Sequence, residues 1–484
     1  MEPFNALEHN EKKTSFLALI KRLWPHFLIY NSYAFTVAAL YINIVIIAGI
    51  MWPNDKPFAF ELHASELGLL TGTSIYMIAL SGIFFGILAD KFSRIKLMAI
   101  VELLYGIGLF INGFVPEGRD QITYLFFLIF SLIRGFAIGG FWPLINSHVN
   151  DSTEDKERSQ FFGAMQGLFQ LFQTIGMLFS ALVFQFNYWR QYFLIVGLTA
   201  SLFSFFIFIR GKEPKRGATR KELKDVLSSE DAAYKYKMTR ETIKSTIIKP
   251  TNLIAFFEGI FTTVLLAVPD FLLIAYLQSP PRNISPLVVA VFLIMFGMPG
   301  GLIGSFAFAK VSDRLGKKNI KYRVYMIVSS IIILFTGFIF FFTLPIPNMT
   351  LEQGNNFLFV FSNSTFWILG LVIFIARSFV SLWSINQPPI LQEINLPEAQ
   401  GKISSANQFL EAIGSGTGPI IAGVILMVFN QNFQLTVFVT LILGIMGGFL
   451  WLLASIWINK DVKRVSAILN QRQIELNNAT KLNK

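Results

Sequence analysis

Cysteine does not occur in this sequence, so disulfides, thiolate metal sites and a cysteine nucleophile are excluded. Histidine is nearly as scarce: His9, His26, His63 and His148 are scattered and lack the spacing of metal ligands, and neither a metal nor another cofactor is expected. No Gly-x-x-x-x-Gly-Lys-Ser/Thr phosphate loop is present, which rules out ATP hydrolysis by that route. Charge is thin at 14% of residues, and acidic side chains are the rarer sign, 29 against 40 Lys and Arg. A chain so poor in charge, 54% hydrophobic and with 52 Phe among 484 residues, is too apolar for a soluble protein of this length.

What fills the chain instead is a series of apolar runs, each long enough to cross a hydrocarbon core of about 30 Å as a helix. Twelve spans are read at about 28–52, 66–89, 97–115, 121–146, 160–185, 188–210, 251–277, 286–309, 323–345, 357–387, 402–428 and 434–459. No small-residue cleavage site follows the first run, so it reads as an uncleaved span. The expected fold class is an all-α membrane protein with twelve transmembrane helices in two six-helix pseudo-symmetric bundles. The expected organisation is a cytoplasmic N-terminus at 1–27, bundles at 28–210 and 251–459, a cytoplasmic linker at 211–250 and a basic tail at 460–484.

Basic residues test the span count. With both ends cytoplasmic, 34 of the 40 Lys and Arg fall in inner segments; Lys56, Arg119, Arg190 and Arg282 fall in outer loops, and Arg134 and Arg377 within spans. One helix more or fewer would invert every later loop and destroy that asymmetry. The net charge of +11 therefore reports orientation in a cell membrane, with lipids as neighbours, and no nucleic-acid partner is expected.

The halves repeat. Gly86 to Lys96 aligns with Ala309 to Lys318, matching Asp90 to Asp313; Leu128 to Phe136 aligns with Leu371 to Phe379, matching Arg134 to Arg377; Ala164 to Gly176 aligns with Ala406 to Gly418. Three matches in one order indicate two six-helix units, the symmetry of a transporter that rocks about a midplane site. The hairpin from Gly86 resembles the Gly-x-Leu-Ala-Asp-Arg-x-Gly-Arg-Lys signature of the major facilitator superfamily, with Ser93 and Ile95 departing from it. Arg134 resembles that superfamily's fourth-helix arginine, although Ile138 stands where glycine is usual, and Trp189-Arg190 with Phe193 resembles its sixth-helix start. Glu213-Pro214-Lys215-Arg216-Gly217 is similar to a segment of Spinster-like lipid transporters, whereas Phe141 stands where those carry a glutamate.

Chemistry is confined to few side chains. Arg134 and Arg377 lie deep in spans, where an arginine costs at least about 2.5 kcal/mol and so faces protein or water. Both are expected to bind an anionic substrate group or to pair with a carboxylate, in a cavity shared with Tyr41, Asn43, Gln166, Gln170, Trp383, Asn386 and Asn407. Glu411, Glu258 and Asp270 are the carboxylates able to exchange a coupling proton unless an arginine pairs with them. Gly86, Asp90, Arg94, Asp313 and Arg314 are the expected latch; the resemblance implies that Asp90 meets the start of the eleventh helix. These residues describe a monomeric secondary active transporter of a small molecule, an organic anion above all, working by alternating access. A Spinster-like lipid exporter is the alternative. A lipid-modifying enzyme or a sensor would need a catalytic cluster or a soluble domain, neither of which is apparent.

Overall fold

The computed structural model describes residues 16–153, 155–214, 246 and 248–482; most of the expected central linker lies outside the described residues. Among the described residues, eleven helices are long and apolar enough to cross a membrane, and a bent pair supplies a twelfth span. That pair is α1, Trp24–Ile42 with Ile44–Met51, bent by 66°. Its bend has a local cause: the Asn43 side-chain amide donates to the Ala39 carbonyl at 2.9 Å, competing with the backbone ladder. The others are α2 Ala64–Lys91, α3 Arg94–Asn112, α4 Gln121–Ser152, α5 Gln160–Gln185, α6 Trp189–Arg210, α7 Pro250–Gln278, α8 Pro286–Lys318, α9 Lys321–Thr343, α10 Ser364–Glu393, α11 Pro397–Val428 and α12 Phe433–Ala454. A further helix, α13, Ile458–Leu482, follows.

Local rules set many of these limits. Ser93, Ser285 and Asn432 cap α3, α8 and α12 by accepting from backbone N–H groups three residues on. Proline opens α7, α8 and α11, where its missing N–H costs nothing. Pro143, Pro269, Pro388, Pro389 and Pro419 lie inside α4, α7, α10 and α11, and each removes a backbone hydrogen bond where a helix can flex.

Packing repeats between the halves. In the first, α3 packs on α4 and α6, α2 on α4, and α1 on α5; in the second, α9 packs on α10 and α12, α8 on α10, and α7 on α11. The halves meet through α2 against α11 and α5 against α8, which are images of one another under the same repeat. Phe205, Phe206 and Phe208 on α6 and Phe449 on α12 stay exposed, as expected of a surface that faces lipid tails. An even number of spans puts α13 and the start of α1 on one face, called here the terminal face.

Candidate functional site

The halves are sealed toward the face opposite the termini. Gly72 lies so close to α11 that a Cβ there would sit 2.2 Å from the Gly416 carbonyl oxygen, and only glycine permits this approach. Beside it the Tyr76 hydroxyl meets Thr417 Oγ1 at 2.6 Å. Gln278 of α7 donates to the Ile42 carbonyl at 2.7 Å, and the Phe60 ring meets that of Phe271 at 5.5 Å. Cavities lie among the helices of both halves. A central one of about 390 Å³ is lined by Tyr41, Gln173, Asp270, Arg377 and Ser415 among others. A second, about 310 Å³, shares Tyr41 and holds Arg134 and Tyr105. The widest, about 800 Å³, lies between α2, α4 and α11 and includes Gly86, Asn146 and Gln408.

The two arginines differ in their partners. Arg377 Nη2 lies 2.5 Å from Asp270 Oδ1, a partly exposed ion pair across the central cavity. Arg134, about 20 Å along α4 from Gln121 at roughly 1.5 Å per residue, is 6% exposed. Its Nη2 donates to the Ser131 hydroxyl at 2.6 Å, its Nε has no partner, and it makes no ion pair among the described residues.

The remaining candidates separate into groups. Tyr41 lines two cavities, while Asn43 is fully buried at the α1 break. Of the α5 glutamines it is Gln173 that lines the central cavity; Gln166 is exposed and Gln170 half-exposed. Trp383 Nε1 donates to Glu258 at 3.0 Å, and Asn407 Nδ2 donates to Glu411 at 2.5 Å. Asn386 is buried away from these cavities, donating to Ser312 Oγ at 2.9 Å and accepting from Arg323 at 3.2 Å.

On the terminal face Arg94, 1% exposed, is the centre of the first hairpin. It bonds Asp151 at the end of α4, and its Nε lies 2.7 Å from Glu213 beyond α6. Glu213 also accepts from the Ile95 N–H at 2.9 Å and the Ser93 hydroxyl at 2.8 Å. Burial pushes the Glu213 carboxyl up, but these donors outweigh it and hold the group below the usual glutamate range. Gly86 lines the wide cavity and Asp90 is exposed at the end of α2. In the second hairpin Asp313 pairs with Arg323 of α9 at 3.0 Å, whereas Arg314 is exposed. The repeat alignment ends before Arg323; Arg94 and Arg323 both stand in the first turn of the helix after their hairpin, which is the signal that links them. Glu102 is fully buried and accepts from Ser32 Oγ at 2.7 Å.

Among the described residues, twelve spans in two repeated halves, closed at one face around a cavity that holds the Arg377–Asp270 pair, define a membrane transporter by architecture. The family model described as Major Facilitator Superfamily matches residues 27–419, and the chain belongs to that superfamily. It is similar to a probable sugar efflux transporter of Helicobacter pylori, 21% identical over 446 residues that cover 91% of this chain and 97% of the relative. Among solved structures it resembles a bacterial homologue of the human lysosomal transporter Spinster, in an inward-facing and occupied conformation. There the TM-score is 0.64 at 16% identity, over 91% of this chain and 97% of that one. It also resembles a D-xylose–proton symporter, with a TM-score of 0.59 at 15% identity over 90% and 97% of the two chains. The chain is thus a multi-pass membrane transporter of small molecules.

Proposed function

We propose that this transporter carries a small organic anion by alternating access, with Arg134 as the group that receives its charge. The observation that carries this is the state of Arg134: 6% exposed, on a cavity wall, and bonded to a serine hydroxyl with no carboxylate beside it. A guanidinium in hydrocarbon is expensive unless compensated, and an anionic substrate compensates it. Arg377 has Asp270 for that purpose, so it shapes the cavity without demanding an anion. The asymmetry of basic residues supports a cytoplasmic terminal face in the cell membrane, which makes this an inward-facing arrangement of a monomer. Gradient coupling then falls to Glu258 and Glu411, because Asp270 is already neutralised by Arg377.

A second reading, a Spinster-like lipid exporter, is favoured by one feature. An apolar slot of about 410 Å³ between α1, α5 and α6 is lined by Phe27, Phe35, Phe172, Phe179 and Phe203, with Asn31 and Ser32 beside them. Thermal unfolding in detergent separates the readings, using gluconate, glucose 6-phosphate and benzoate against neutral glucose and lysophosphatidylcholine. Stabilisation by at least one anion, lost in Arg134→Ala, is expected. Equal stabilisation of both proteins, or stabilisation by glucose alone, would remove Arg134 from recognition; stabilisation by the lysolipid alone would favour the exporter.

A further inference from the structure

Two carboxylates of the second half, Glu258 on α7 and Glu411 on α11, lie on packed helices and reach the same Gln387 side chain. Glu258 is fully buried. Its Oε1 accepts from Thr262 Oγ1 at 2.5 Å and Trp383 Nε1 at 3.0 Å, and its Oε2 from Gln387 Nε2 at 3.3 Å. Glu411 accepts from Asn407 Nδ2 at 2.5 Å and lies within reach of the same Gln387 amide. Close approach is made possible by Gly259, where a Cβ would sit 2.9 Å from Glu411 Cγ. Neither carboxylate makes an ion pair among the described residues, and Arg377 is committed to Asp270. A separate observation points into the same gap: Asn407 is 3% exposed, and its Oδ1 has no hydrogen-bond partner while lying 3.8 Å from that Gly259 position.

We infer that Glu258, Glu411 and the Asn407 amide oxygen form a binding site for a monovalent metal cation of the sodium type. Donors hold both oxygens of Glu258, and of these three donor atoms only Thr262 Oγ1 can also accept a proton from it. A proton on Glu411 would satisfy Asn407 but would do nothing for an ionised Glu258 inside the membrane. A metal cation balances Glu258 and uses the free amide oxygen at once. Carboxylate and amide oxygens are the ligands hard cations prefer. No group of three or more acidic or histidine side chains stands together among the described residues, which argues against a divalent ion. The residual negative charge falls on Glu411, the half-exposed member of the pair. Sequence spacing relates Asn407 to Glu411 on one helix but could not reveal that Glu258, on α7, joins them. The inference names the coupling ion for the proposed transport cycle, but the cation site itself stands without Arg134.

The test uses the full-length protein in detergent and the ion alone. Melting is followed in NaCl, KCl and choline chloride at equal ionic strength and at two pH values. Saturable stabilisation by Na⁺ is expected, with apparent affinity about tenfold or more weaker in Asn407→Ala and Glu258→Gln. Asp270→Asn should keep the Na⁺ response. Identical melting in sodium and choline would overturn the site, and so would stabilisation that follows pH alone. If Glu258→Gln fails to fold, the wild-type titration and Asn407→Ala still decide the matter. Loss of the anion response in Arg134→Ala with the Na⁺ response intact would separate this result from the substrate reading.

Discussion

Arg134 and Arg377 occupy matching places in the repeat yet have opposite surroundings, and the difference can be measured. Arg377→Met leaves Asp270 without its partner, whereas Arg377→Met with Asp270→Asn removes both charges. Breaking a fully buried pair costs several kcal/mol; with side chains 36% and 41% exposed, solvent screening reduces this to about 1 kcal/mol. The single variant should therefore melt below the double variant in detergent, and equal melting would mean that the pair contributes no stability. Sequence alone identified both arginines from depth and repetition. It could not distinguish their partners, because Asp270 comes from a different helix and from more than a hundred residues away. The same limit explains why Arg314 was chosen over Arg323. Proximity along the hairpin favoured the former, while the fold brings α9 back beside Asp313.

At the scale of elements, apolar run length located most span ends to within a few residues, since hydrocarbon thickness limits where a helix starts and stops, but α8 continues through the charged hairpin to Lys318 and Phe357–Ser362 forms a short helix of its own before α10. The break in α1 was not legible: it contains no interior proline, and depends on an asparagine side chain bonding to the carbonyl one turn before it. The clasp joining α3, α4 and the segment after α6 was legible only as charge. Its Glu213 offers a second prediction. A carboxyl held below its unfolded value contributes stability above the unfolded pKa of about 4.3 and loses it as pH falls through the folded value. Glu213→Gln should melt lower than wild type at pH 7, and the gap should close as the medium is acidified below about pH 4. A gap that stays constant down to that range would show that the donors around Glu213 do not act on its charge.

For the whole molecule, the sequence repeat implied two rocking halves, but which face is closed depends on contacts between helices far apart in the chain. Gly72 and Gly416 close the face opposite the termini by backbone approach, and the Tyr76–Thr417 contact adds a polar tie at the same level. Gly72→Val puts side-chain atoms where only 2.2 Å separates a Cβ from the Gly416 oxygen, so the sealed arrangement loses stability relative to one in which α2 and α11 part. Because the chain contains no cysteine, single reporters can be added without background. Ala412→Cys reports on the wide cavity and Ile420→Cys on the seal beside Gly68 and Gly72. In reconstituted vesicles, Gly72→Val should raise labelling of Cys at position 420 by a membrane-impermeant maleimide from the opposite face. Labelling at position 412 from the terminal face should fall in the same protein. A population shift requires the two changes to run in opposite directions, because one conformational equilibrium governs both sites. A rise at position 420 with position 412 unchanged would mean that the substitution loosened the α2–α11 seam locally, and that closure at one face is not tied to opening at the other.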